Sequence, residues 1–317
     1  MFFFSGKLRS EYKTDTVLVQ SIRTKAAEEV KKSIAGMTIL DKELFVLHEK
    51  SSEVEVYNSN TFLSSRRWKL NDLIQPQDIV SCNGNKCLYI FDYKGFLSFS
   101  KNEILRVDPH GKLIKKWSTG SNFGYSLSVT SESNVILPVY KSKTINEYYP
   151  DGQLIRKVDI LKVSVLKTIL ADPEICEMWH AIKLTNGHFV ISLRSSQLFP
   201  GSIPMLGPGH GVCIVSEDGT LTCKVSYDVT YFSSTRNMNV PFHMFVDGNG
   251  FVMVVDRKNG RVLLLDSNLK FKREILSEEE KHGLRRPTRI LMDESNGRLF
   301  VADNELNNQR ILIFDVK

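Results

Sequence analysis

The chain has 317 residues, 42% of them apolar and 25% charged, and its 42 Lys and Arg against 36 Asp and Glu give a net charge of +6. Length sets a prior of two or three domains at about 100–200 residues each, and the composition excludes a disordered, collagen-like or disulfide-scaffold chain. The apolar runs, such as 251–255, fall far short of the roughly 18 residues a membrane helix needs, and the mild basic excess permits contact with polyanions without demanding it.

The opening Met1-Phe2-Phe3-Phe4-Ser5-Gly6-Lys7 is too short an apolar run for a secretory signal, whose core needs about 7–15 residues. An intracellular, cytoplasmic protein without membrane contact is therefore expected. Thr16 to Ile22 has strand composition, and residues 15–24 are assigned as a strand that joins no local sheet. Residues 25–35 follow as a short connector helix, with Glu28 placed four residues before Lys32.

From residue 37 to 317 one unit recurs. Each copy is a short strand, a tight Gly-containing turn, a second apolar strand ending in Asp, a polar loop and a third strand. Second strands begin near Leu44, Leu88, Ile136, Phe189, Val252 and Leu299, at separations from 44 residues (Leu44 to Leu88) to 63 (Phe189 to Val252). Cys82 and Cys87 flank a hairpin turn in the second copy. With Cys176, Cys213 and Cys223 they make an odd total of five without a CxxC pair, which argues against a disulfide framework or zinc knuckle, and the thiols are expected reduced. Turns between third and fourth strands carry Asp108-Pro109-His110-Gly111, Tyr149-Pro150-Asp151-Gly152 and Ser216-Glu217-Asp218-Gly219, where Gly supplies a positive φ. The clearest copies are the last two, Pro241 to Asp256 and Pro287 to Asp303, with third strands Arg261 to Leu265 and Arg310 to Phe314 and, in the first, a fourth strand from Lys270 to Leu276.

Periods of about 40–50 residues with four short strands each specify a β-propeller. The fold is therefore all-β, a single domain of six blades. The sixth copy stops after three strands, leaving an edge to cover, and the unassigned strand at 15–24 is predicted to close the ring.

The motif of Pro, a short apolar strand, Asp-x-x-Gly, an apolar run ending in Val-x-Asp and then Asn-x-Arg-Val resembles the NHL repeat, most plainly in Val240 to Leu265 and Arg286 to Phe314. Over roughly residues 15–317 the chain is similar to the six-bladed NHL propeller of tripartite-motif proteins and to stand-alone invertebrate NHL proteins. No RING, B-box or coiled coil precedes residue 15, so ligase activity is not expected. Gly-His and Trp-Asp pairs, the WD40 signature, do not recur.

Meander topology puts the loops between strands two and three, and those from strand four to the next blade, on one face. Aligning the copies places Asp78, Ser126, His180, His243 and Arg289 around the channel. The same face gathers Lys50, Lys94, Lys101, Lys141, Lys143, Arg194, Arg257, Lys258 and Arg310. The NHL resemblance implies that such a basic face binds RNA hairpins or partner proteins. Arg257 and Arg289 rank first because a guanidinium contacts phosphate bidentately. Tyr93, Phe96, Phe99, Tyr140 and Phe199 are candidates to stack on bases or anchor a protein. The Pro- and Gly-rich stretch 195–211 is the candidate partner-specific loop.

His180 and His243 are the one constellation suggestive of a metal-dependent hydrolase or lyase. A catalytic zinc takes three protein ligands, and the neighbouring slot holds Arg289, whose charge repels a metal. No catalytic residue, metal or cofactor is assigned. The expectation is a monomeric, non-catalytic scaffold binding a protein or peptide, with RNA binding by the same face as the alternative.

Overall fold

In a computed structural model, the described residues are 16–24, 32–95, 101–120, 123–140, 142–160, 176–195, 211–218, 238–277, 283–306 and 308–316. The predicted connector helix falls mostly, and the 195–211 loop almost wholly, outside them.

The strands group as the repeat requires. After β1 (Val17–Ile22) comes blade one, with β2 (Ile34–Leu40), β3 (Glu43–His48), β4 (Glu53–Asn58) and β5 (Ser64–Lys69). Blade two is β6 (Pro76–Cys82), β7 (Cys87–Asp92), β8 (Asn102–Val107) and β9 (Leu113–Gly120). Blade three is β10 (Ser128–Val129), β11 (Val135–Val139), β12 (Thr144–Tyr148) and β13 (Leu154–Asp159). Blade four shows β14 (Cys176–Lys183), β15 (Phe189–Ser195) and β16 (Gly211–Val215) among the described residues. Blade five is β17 (Pro241–Val246), β18 (Val252–Asp256), β19 (Arg261–Leu265) and β20 (Phe271–Leu276). Blade six is β21 (Pro287–Asp293), β22 (Arg298–Glu305) and β23 (Asn308–Asp315), with β1 as its fourth strand in the order β1-β23-β22-β21.

Every strand pair among the described residues is antiparallel, and β1 runs along β23 from Val17 opposite Asp315 to Ile22 opposite Ile311. The ring is thus closed by the N-terminal strand. Blade one starts at Ile34, earlier than the predicted 37, because Ile34 N–H and C=O both bond the Asn304 side-chain amide of blade six.

Burial explains why strand alternation is invisible in the middle of each blade. β7, β11, β12, β16, β18 and β19 are buried at every position, since each sheet is covered on both faces by its neighbours; most central strands read as apolar runs, β12 with buried Asn146 and Glu147 being the exception. The outermost β5, β9, β13 and β20 are mostly exposed or half-buried and carry several Arg and Lys. Six apolar clusters form, one at each blade junction, including Ile34, Met37, Leu44 and Val46 against Phe300, Ala302, Ile311 and Ile313 at the junction of blades one and six.

The predicted turn signature has a packing reason as well. At Gly152, φ is 91° and a Cβ would lie 2.5 Å from Trp117 of the preceding blade. Gly111 stands in the same relation to Trp68. Cys82 and Cys87 face each other across the β6–β7 hairpin, buried, and both thiols are free. Among the described residues no helix is long and apolar enough to cross a membrane.

Candidate functional site

The channel is built from the first residues of each innermost strand. Register breaks occur there between Ile34 and Gly36, Pro76 and Asp78, Met178 and His180, Pro241 and Met244, and Pro287 and Arg289. Such a bulge adds a residue to one strand and re-aims its side chain. The slot so formed holds Gly36, Asp78, His180, His243 and Arg289, with Ser126 the blade-three counterpart by alignment.

These residues bond one blade to the next. Met244 N–H donates to His180 Nδ1 at 3.0 Å, and Ile290 N–H donates to His243 Nδ1 at 3.4 Å. His180 Nε2 lies 3.3 Å from the Leu127 carbonyl, and Ser126 Oγ donates to the Trp179 carbonyl at 2.6 Å. Asp78 Oδ2 accepts Leu127 N–H at 2.8 Å. Gly36 completes the circle through closeness, because a Cβ there would lie 2.5 Å from Asp78 Oδ1 and 2.6 Å from Ile79 N. Arg289 then reaches across the channel: its Nε is 3.4 Å from Asp78 Oδ1, and it donates to the carbonyls of Gln77 and Tyr125 at 2.9 and 3.2 Å.

Burial sets the charge states of this belt. Burial, then Arg289, pushes His180 down to about 3. Burial, then His180 and Arg289, holds His243 well below the usual imidazole range. Both rings are therefore neutral at pH 7. Because each Nδ1 accepts an amide, each Nε2 carries the proton. They stack at 4.1 Å between centroids and 12° between planes. Burial raises Asp78 to about 6 despite the opposing Arg289. Among the described residues no group of three or more His, Cys, Asp and Glu is arranged to hold a metal.

One residue ahead of the belt, a second layer forms the mouth: Ala35, Gln77, Tyr125, Trp179, Phe242 and Thr288. It encloses about 240 Å³, lined by the starts of the innermost strands, by Asn304 of β22 and by residues of the adjoining loops on this face. Half of the rim is aromatic. Tyr125 stacks on Trp179 at 4.0 Å and 10°, and Phe242 meets Trp179 at 4.3 Å. Guanidiniums lie over these rings, Arg257 and Arg289 at 4.8 and 5.1 Å from Phe242 and Arg194 at 5.5 Å from Trp179.

Beside the mouth, sharing Arg257 and Arg286 with it, lies a groove of about 420 Å³ lined by Arg194, Val240, Arg257, Lys258, Arg285 and Arg286. No acid lines it. Its loops are fixed by strand-end carboxylates: Asp303 accepts Arg285 and Arg286 N–H at 3.3 and 2.7 Å, and Asp256 accepts Asn239 N–H at 2.7 Å. Val240 is held at φ 66° while its carbonyl takes Arg257 N–H, a left-handed conformation that is unusual for a β-branched residue. Burial, then Arg286, Arg289 and Arg194, pushes Arg257 down to about 10, so it stays charged at neutral pH.

The predicted basic residues therefore divide. Arg289 and His180 are buried and spent on the belt, so their expected place on an exposed binding face is corrected. Lys94 is paired with Asp92 and Glu103 at 2.7 and 3.5 Å, and Arg310 with Asp303 at 3.1 Å. Lys143 is buried with its ammonium over Tyr140. Lys141, Phe96, Phe99 and Phe199 lie outside the described residues. Half-buried His243 is part of the belt, while Arg194, Arg257 and Lys258 remain at the groove. Sequence reasoning missed Arg285, Arg286, Tyr125, Trp179 and Phe242. The signal for Arg285 and Arg286 was their place directly before the repeat's Pro287, in a loop of the face already chosen.

No known protein family matches the sequence, and no curated protein is significantly similar to it. Solved structures are similar in fold. Virginiamycin B lyase from Staphylococcus aureus matches at 11% identity and TM-score 0.60, covering 96% of this chain and 100% of its own. Hydrazine synthase from Kuenenia stuttgartiensis matches at 12% identity and TM-score 0.60, covering 89% and 84%. The WD40 domain of Neurospora crassa Pan2 matches at 11% identity and TM-score 0.54, covering 90% and 75%. At these identities the likeness carries the architecture alone, and the chain is a six-bladed β-propeller.

Proposed function

We propose that this propeller is a non-catalytic binding scaffold whose channel-mouth face receives a protein or peptide partner. One observation carries the reading: the side chains of Arg257, Lys258 and Arg286 gather at one groove whose lining among the described residues holds no acid, with Glu49 in the adjoining mouth. Cations held together unpaired are a standing electrostatic cost, and an anionic partner relieves it. The structural likeness to a WD40 domain is consistent with a binding role. The two imidazoles favour binding over catalysis, since each Nδ1 is committed to a backbone amide.

The NHL affiliation belongs to the same proposal. Its support is that the motif's Asp and Arg do one job in both clear copies, Asp256 with Arg261 at 2.8 Å and Asp303 with Arg310 at 3.1 Å, while the Asp also ties the adjoining loop.

The test is affinity capture with the wild-type chain and with Arg257→Glu, Lys258→Glu and Arg286→Glu combined, with and without ribonuclease. Proteins lost from the variant irrespective of ribonuclease support the reading. Identical protein sets from both chains sink it. Loss confined to ribonuclease-sensitive material, with direct RNA retention falling steeply as salt rises, supports RNA instead.

A further inference from the structure

The groove and the mouth are chemically different and lie side by side, which restricts what fits both. A nucleic acid needs phosphate contacts and vacant ring faces on which bases stack. The rings at this mouth are already engaged: Tyr125 and Trp179 stack on each other, Phe242 leans on Trp179, and guanidiniums lie against Phe242 and Trp179. A guanidinium lying on a ring is oriented and still presents in-plane N–H donors, the geometry that grips a carboxylate bidentately. Glu49, exposed just after β3, also lines the mouth, with Ala35, Gln77 and Thr288. Its charge repels an anion on that side of the mouth, where a neutral or apolar side chain fits.

We infer that the groove takes an extended acidic peptide segment, with glutamate or aspartate carboxylates on Arg257 and Arg286 and an adjacent apolar side chain seated in the mouth between Tyr125, Phe242 and Thr288. The inference rests on the binding-scaffold reading and deepens it. Arg257 is the central group, because it lines both volumes and is held by Phe242 on one side and the strained Val240 carbonyl at its backbone. Strain of this kind persists where surrounding structure enforces it, and it concentrates at ligand-contacting sites.

The experiment is fluorescence anisotropy with a labelled synthetic peptide, blocked at both ends, in which one leucine stands between two pairs of glutamates. The comparison probes are the same peptide with glutamine for glutamate, the same peptide with serine for leucine, and an oligouridylate of equal charge. The expected result is saturable binding of the acidic peptide at low salt. It weakens at least tenfold with Arg257→Gln and Arg286→Gln combined, at least tenfold with glutamine, and severalfold with serine. A thermal melt confirms that the variant is folded, and Lys115→Gln, on the exposed outer strand β9, serves as a charge-loss control that leaves binding unchanged.

Absence of binding at low salt overturns the inference, as does equal binding of the glutamine peptide or tighter binding of oligouridylate through the same arginines. The scaffold reading survives if selected non-acidic peptides bind and lose affinity with Arg257→Gln. Both readings fall if that substitution changes the binding of no peptide and of no captured protein.

Discussion

Arg289 and Arg257 lie against the same phenylalanine, Phe242, at 5.1 and 4.8 Å, yet they belong to different regions. Arg289 starts an inner strand, points into the channel and finds Asp78 and two carbonyls from blades two and three. Arg257 opens the 3-10 turn Arg257–Asn259 between β18 and β19 and meets other cations. The difference teaches that residue type does not mark a functional charge in a propeller. What marks it is whether the fold supplies the counter-charge. The channel floor is a satisfied belt that fastens blades together, whereas at the mouth Arg194 meets Glu177 at 3.9 Å and Arg257 meets mainly other arginines.

The largest test removes the ring that both regions depend on. Deleting residues 1–24 takes away β1, its ladder to β23 and the buried Ile22. We expect the cooperative unfolding transition to be lost, and with it most of the roughly 5–15 kcal/mol of a native domain's stability. A chemical-denaturation curve that keeps its midpoint and slope would mean the ring does not need that strand.

Next comes the floor against the mouth. Arg289→Met leaves Asp78 buried and uncompensated, and removing one partner of a buried pair costs about 3–5 kcal/mol. Arg257→Gln at the mouth should stay within about 0.5 kcal/mol. Urea denaturation of both variants decides, and equal losses would erase the distinction drawn between them.

Gly36→Ala probes the floor without touching a charge. The added methyl meets Asp78 and the backbone at Ile79, and overpacking of this kind costs about 1–3 kcal/mol. Unchanged thermal stability would show that blades one and two have slack at the channel.

Comparable in size is the pH dependence of the same floor. His180 and His243 titrate lower folded than unfolded, so the folded chain resists protonation. The stability they confer is present above about 6.5 and is lost as pH falls toward the folded value, about 3 for His180. Asp78 acts oppositely, since its carboxyl is raised from 3.8 to about 6 and protonation favours the fold over that interval. Two imidazoles against one carboxyl leave a net loss below pH 6.5, about 1.4 kcal/mol per pH unit for each imidazole. Melting His180→Gln beside wild type between pH 7 and 5 should show a shallower decline in the variant. Parallel declines would place the acid sensitivity elsewhere.

Much of this was legible in the chain itself. The spacing of second strands from Leu44 to Leu299, the turn glycines and the three-strand final copy specify six blades and a ring closed from the N-terminus, because these depend on local geometry and counting. Alignment of the copies also brought Asp78, Ser126, His180, His243 and Arg289 to one channel, since every blade offers the same slot. Their roles were another matter. That Arg289 meets Asp78 across the channel, 211 positions away in the chain, and that Arg286 and Arg257 converge from different blades are facts of closure, whereas Lys94 and Arg310 are paired inside their own blades. A periodic sequence determines which slot a side chain occupies. Only the assembled ring decides which slots hold opposite charges within reach, and so which cations are paired inside the fold and which are not.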